Sequence, residues 1–94
     1  MRPGQATISP DILARYAGDA AREVEGVRAV TGRRGVKVSE LDGVVRVEVH
    51  LSVDWGASIP AIGAAVKARV SEYLAHMASA DAVEVAVVVD DVAS

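Results

Sequence analysis

Few side chains in this 94-residue chain could do chemistry, and their spacing gives them little to work with. His50 lies on the polar side of an alternating stretch and His76 falls near the end of a helical pattern. So placed, they read as two solvated surface groups, with no shared catalytic or metal-binding role. Asp90 and Asp91 look like a pair of metal ligands. Neighbouring residues of a strand point to opposite faces, so the two carboxylates would not easily share a cation. They read as a charged strand end that discourages edge-to-edge pairing. No serine sits in a nucleophile elbow, and no Ser/His/Asp order is convincing. Gly32-Arg33-Arg34-Gly35 matches the GxxG loop with which KH domains clamp single-stranded nucleic acid. That loop joins two helices, whereas this tetrapeptide leads into a strand pattern, and the stacking aromatics of other RNA modules are missing. Phosphate loops, dinucleotide fingerprints and zinc spacings are absent. The sequence therefore offers no catalytic residue, no cofactor and no metal site.

Composition narrows the classes further. The formal charge of −3 argues against a general nucleic-acid binder, which is normally basic. The chain has no cysteine, which excludes disulfides and thiolate chemistry and fits a reducing compartment. The start, "MRPGQATISP", has no hydrophobic signal core. The longest apolar run in the last strand pattern, Val85 to Val89, is far too short to span a bilayer. A cytoplasmic protein is expected, without direct membrane insertion.

The elements that would position these residues follow from periodicity. Ser9, Pro10 and Asp11 form a helix start: a cap, a residue suited to the first turn, and a carboxylate at the positive end of the dipole. Ile12, Leu13, Tyr16, Ala20, Val24 and Val27 make one helical stripe, with Gly26 as terminator. Residues 1–8 form an N-terminal segment whose "ATIS" could add a short edge strand, and residues 9–92 form a single domain. Val36 and Val38 open a hairpin that turns at Asp42-Gly43, where both positions favour positive φ. Val45, Val47, Val49, Leu51 and Val53 return along one face, with Arg46, Glu48, His50, Ser52 and Asp54 on the other. Ser58 can cap a second helix with the stripe Ile59, Ile62, Val66, Val70, Leu74 and Met77. The last strand places Val83, Val85, Val87 and Val89 on one side, and Glu84, Ala86, Val88 and Asp90 on the other. The expected fold is α+β: a two-layer sandwich of order (β)αββαβ, with two helices on one face of a three- to four-stranded sheet. Any parallel crossover in it should be right-handed.

Trp55 stands between the hairpin strand and the second helix. It continues the inward parity of the strand, which predicts a cover for the end of the core. The competing reading is a displayed aromatic that binds a partner. The uncovered sheet face supplies the rest of a candidate interaction surface: Trp55, Arg46, His50, Ala86 and Val88.

The order of these landmarks resembles the alkaline shock protein family, the Gls-type bacterial envelope stress response proteins. Ile8, Ser9, Ile12, Ala17, Ala20, Ala21, Glu23, Val24, Gly26 and Val27 match the opening of that pattern. "GVKV" resembles its next strand. "VRVEVHLSVDWGASIPAIGAAVKARVSEYL" is similar to its signature of a valine-alternating strand, an aromatic-Gly pair, Ile-Pro and a helix. "VEVAVVVDDV" is similar to its closing strand. The family usually has tyrosine before the glycine, so Trp55 is a variant. The resemblance implies a non-enzymatic envelope (alkaline or cell-wall) stress response protein. It would be cytoplasmic, would self-associate as a homo-oligomer, and would dock to a membrane-anchored partner at the inner face of the envelope. The alternative from the residues alone is a small nucleic-acid-binding domain using Arg22, Arg28, Arg33, Arg34 and Lys37. The two readings part on whether those basic groups converge on one face.

Overall fold

The computed structural model of the chain describes residues 9–31, 35–77 and 82–93. The "ATIS" strand expectation and the Gly32–Arg34 part of the basic loop fall largely outside them. Helix α1 (Pro10–Arg22) begins as its sequence dictates. The Ser9 side chain accepts the Ile12 N–H at 3.3 Å, Pro10 occupies the first turn, and Asp11 follows it. The helix buries Leu13, Ala17, Gly18, Ala20 and Ala21. Ile12 and Tyr16, expected in the stripe, lie on the exposed flank. The buried side is narrow and alanine-rich, and that lets the helix sit close to the sheet.

Helix α1 is shorter than its stripe predicts. It stops at Arg22, and after a turn through Gly26 the chain enters a short strand, β1 (Val27–Val30). Val27 thus belongs to the sheet. Strands β2 (Val36–Leu41) and β3 (Val44–Asp54) form the expected hairpin. Its turn residues Asp42 and Gly43 have φ of 53° and 80°, the mirror-image geometry that matches strand twist. Helix α2 (Ile59–Met77) crosses back and buries Ile62, Val66, Val70 and Leu74, while Ile59 is exposed at its first turn. Strand β4 (Ala82–Ala93) then lies parallel to β3.

All four strands share one sheet organised around β3. β1 and β2 pair antiparallel with different parts of the same edge of β3: β1 with Leu51–Val53, β2 with Val44–Val49. β4 takes the whole opposite edge. The sheet is therefore mixed. The α+β class and the two helices on one sheet face agree with the sequence expectation. The additional strand, however, is found after α1, where Val27 had been counted in the helical stripe and Arg28 to Val30 had been given no element.

The core lies between the helices and the inner face of β3. Val45, Val49, Leu51 and Val53 are fully buried, and Val47 nearly so. They meet Ala17, Ala20 and Ala21 from α1 and Val66, Val70 and Leu74 from α2. With no phenylalanine in the chain, the core is assembled from small aliphatic pieces, each buried valine contributing about 1.5–2 kcal/mol.

Candidate interaction surface

The side chains opposite the core form the other face of the sheet, and their positions follow from strand parity. Cross-strand pairing builds them into rows. One row is Lys37, Glu48 and Ala86; the next is Ser39, Arg46 and Glu84. Because Ser39 and Ala86 are short, these rows leave an open trough of about 520 Å³ lined by Lys37, Ser39, Arg46, Glu48, Glu84 and Ala86. The Arg46 guanidinium closes one part of it by donating to Glu84 at 3.0 Å.

His50 occupies the centre of a tighter group. Its Nε2 lies 2.6 Å from Glu48 on the same strand, and its Nδ1 lies 2.9 Å from Asp90 on β4. The Thr31 hydroxyl donates to Asp90 at 2.7 Å, which brings the end of β1 into the group. A carboxylate at each ring nitrogen needs an N–H at each, so the geometry suits an imidazolium. The His50 pKa is accordingly raised, first by the Glu48 hydrogen bond and then by that of Asp90. Glu48 is lowered chiefly by the same bond to His50. Asp90 is lowered chiefly by the Thr31 hydroxyl, with His50 adding to it. The two carboxylates sit on opposite sides of the ring. Among the described residues, no group of three or more His, Asp or Glu is placed to hold a metal ion.

Asp90 lies on the same face as His50, at the point where β4 carries an irregularity. Pairing runs in step through Leu51↔Val89 and resumes at Ser52↔Asp91, so Asp90 is the extra residue of a bulge. Strand parity alone had paired the two aspartates with opposite faces. Glu48 and His50, two residues apart on one strand face, were a visible signal for half of this group. The bulge and the reach of Thr31 were not.

Trp55 corrects the parity argument. It is 76% exposed and covers no core. Strand β3 ends at Asp54, and the Ala57 N–H returns to the Asp54 carbonyl at 3.2 Å, which makes Trp55-Gly56 the centre of a turn. Gly56 has a φ of 84°, the conformation such a turn demands at its third position. The Trp55 backbone N–H still bonds the Ala93 carbonyl at 2.7 Å, but its side chain has left the strand alternation. Of the other four candidates, Arg46, Ala86 and Val88 are exposed and His50 is half-buried, all on the face opposite the helices. Trp55 stands at the end of that sheet, beside the last residues of β4.

Among the described residues, the basic groups are spread over both layers. Arg22 is on α1, in the helical layer, paired with Asp19. Arg28 is held by Asp54, and Lys37 lines the trough on the opposite layer. Arg33 and Arg34 lie outside the described residues. Gly35 has a structural reason for its identity. A Cβ there would stand 2.3 Å from the Thr31 carbonyl oxygen and 2.4 Å from a Val30 methyl. Only glycine allows so close an approach to Thr31, and both residues bond the His50 backbone.

Comparison with known proteins now decides the kinship. The model of the alkaline shock protein 23 family, described as having a cell envelope-related function, matches residues 1–94. The chain belongs to this family. A relative, the uncharacterised protein YqhY of Bacillus subtilis (strain 168), is 31% identical over 91 residues, spanning 81% of this chain and 67% of that one. Among solved structures, a histidine-to-alanine variant of MamM-CTD is similar with a TM-score of 0.68 at 19% identity, covering 86% of this chain and 95% of that one. A nickel form of the MamM CTD is similar with the same TM-score at 18% identity, covering 86% and 96%. At such identities the likeness is one of fold. Among the described residues, no helix is long and apolar enough to cross a membrane.

Proposed function

We propose that this protein is a non-enzymatic component of the bacterial envelope stress response, acting by self-association and by docking to a membrane-anchored protein from the cytoplasmic side. The observation that carries this reading is the uncovered sheet face. Both helices pack on one side of β3, and nothing in the chain's described part covers the side bearing Arg46, His50, Ala86 and Val88. Trp55 adds a large exposed aromatic at the end of that face, and aromatic and arginine side chains are the commonest anchors of protein interfaces. The family's envelope-related function supports the location, and the thin set of reactive groups supports an association role over catalysis.

The test is fractionation in the native host. A tagged chain should be recovered with the membrane fraction, while the purified protein should ignore protein-free lipid vesicles. Replacing Trp55 by Ala together with Arg46 by Gln should move the chain into the soluble fraction with little change in its melting. Wild-type protein found wholly in the soluble fraction, or bound to bare vesicles, would overturn the proposal.

A further inference from the structure

The open edge of β4 points to a specific partner. We infer that a second copy of this chain pairs with β4 antiparallel, on a two-fold axis through Ala86, to continue the sheet. The inference rests on the association reading above and specifies its geometry.

Backbone direction comes first. Val44 is paired with Ala82, and the Ala82 N–H donates to the Gly43 carbonyl. In a strand, a residue's N–H and C=O point to the same side, and the side alternates. Ala82, Glu84, Ala86 and Val88 therefore bond to β3. Val83, Val85, Val87 and Val89 direct their N–H and C=O groups to the open edge, where no described strand meets them. From Ala82 to Val89 this edge has no proline, no lysine and no bulge, and its one charged residue, Glu84, is held by Arg46 on the outer face. The bulge at Asp90 comes only after it.

Side chains choose the occupant. The same four valines face the helices and pack on the core, yet each remains half-buried because the core ends at β4. A neighbouring strand that completes them must present aliphatic residues on that side at every second position. β4 itself does so, and an isologous contact uses one patch twice.

Charge fixes the register. With Ala86 on the axis, Val85 faces Val87 of the second copy, Val83 faces its Val89, and Glu84 faces its Val88. A slide that puts Val87 on the axis sets Glu84 against Asp90 of the second copy, two like charges directly opposite, which destabilises a sheet. A slide that puts Val85 on the axis leaves Val89 beyond the start of the neighbouring β4. In the chosen register the charged side chains of the outer face keep their own partners: Arg46 with Glu84, and Glu48 and Asp90 with His50.

The chain has no cysteine, so engineered thiols report the register directly. Ala86 would meet Ala86 of the second copy in a non-hydrogen-bonded pair, where Cα atoms lie about 4.5 Å apart, within disulfide reach. Ala86→Cys should form a covalent dimer under mild oxidation. Glu84→Cys and Val88→Cys should each stay monomeric on a non-reducing gel, but should cross-link to one another when mixed. Light scattering of the wild type across a concentration series should show a monomer–dimer equilibrium. A wild type that dimerises while Ala86→Cys fails to cross-link, or a Val88→Cys that cross-links alone, would overturn the register. A monomeric wild type at every concentration would overturn the pairing itself. Recovery with the host membrane fraction is a separate readout, so the pairing can fail while the docking proposal stands.

Discussion

The two faces of β3 contain residues that alternate one by one, yet they obey different rules. On the inner face every side chain from Val45 to Val53 meets the helices, and exposure falls to nearly nothing. On the outer face, Arg46, Glu48 and His50 reach sideways to each other and to β4 and stay in partial contact with water. Packing is non-directional and accepts any well-shaped aliphatic. The outer mesh is directional, with each hydrogen bond naming its partner. The inner face therefore sets whether the chain folds, and the outer face is free to set what it meets.

The sharpest way to break this contrast is to put a charge on the inner face. Val49→Asp strands a carboxylate where no partner exists, at a cost on the order of 4 kcal/mol or more. That approaches the whole stability of a small domain. The variant should be unfolded by circular dichroism. A soluble form that melts cooperatively near the parent would refute the assignment of the two faces.

The edge of the sheet gives an intermediate effect. Gly35→Ala forces a methyl group against the Thr31 carbonyl and a Val30 side chain. The backbone must shift, at about 1–3 kcal/mol. For a domain of this size that lowers the melting temperature by roughly 5–20 °C. An unchanged melting curve would mean that Thr31 and Gly35 do not approach as described.

Periodicity made most of the inner face readable. The β2–β3 hairpin, its Asp42-Gly43 turn, the start of α1 and the α2 stripe all follow from local rules. What escaped were features that depend on where a pattern stops. Val24 and Val27 extend a helical stripe arithmetically, but α1 ends at Arg22 and Val27 pairs with Val53. Trp55 has inward parity, but the turn at Asp54–Ala57 cancels it. Of the outer face, the exposure of Arg46, Ala86 and Val88 was legible. The Glu48–His50–Asp90–Thr31 group was not, because parity put Glu48, His50 and Asp90 on outward faces but only the β3–β4 pairing and the end of β1 bring the four together.

That group makes the outer face sensitive to pH, with limbs of opposite sign. His50 has a pKa raised above its ordinary 6.5, so its contribution to stability is complete below pH 6.5 and is lost as pH rises through the raised value. Glu48 and Asp90 are lowered from 4.5 and 3.8, so theirs is present above those values and is lost as pH falls through the lowered ones. Lys37 adds a smaller favourable charge near Glu48. The melting temperature should be highest between these limits and decline on the alkaline side. His50→Gln should flatten the alkaline decline and leave the core-driven baseline in place. A histidine titration by NMR with a midpoint at or below 6.5 would show that the two carboxylates do not hold the ring as described.

The smallest effect on stability should come from Val88, and there the contrast between the faces is most exposed. Val88 lies on the outer side of β4, paired with His50 across the sheet and partly open to water. Substitutions at such positions usually change stability by less than about 0.5 kcal/mol. Val88→Asp and Val88→Lys should therefore melt close to the parent, unlike Val49→Asp on the opposite face. Their association should diverge. In the paired dimer Val88 faces Glu84 of the second copy, so an aspartate adds repulsion and a lysine adds attraction. Light scattering should show the dimer weakened by Asp and kept by Lys. Equal weakening by both charges would point to an apolar contact at Val88 with some other surface. Unfolding of either variant would place Val88 in the core and erase the distinction between the two faces of β4.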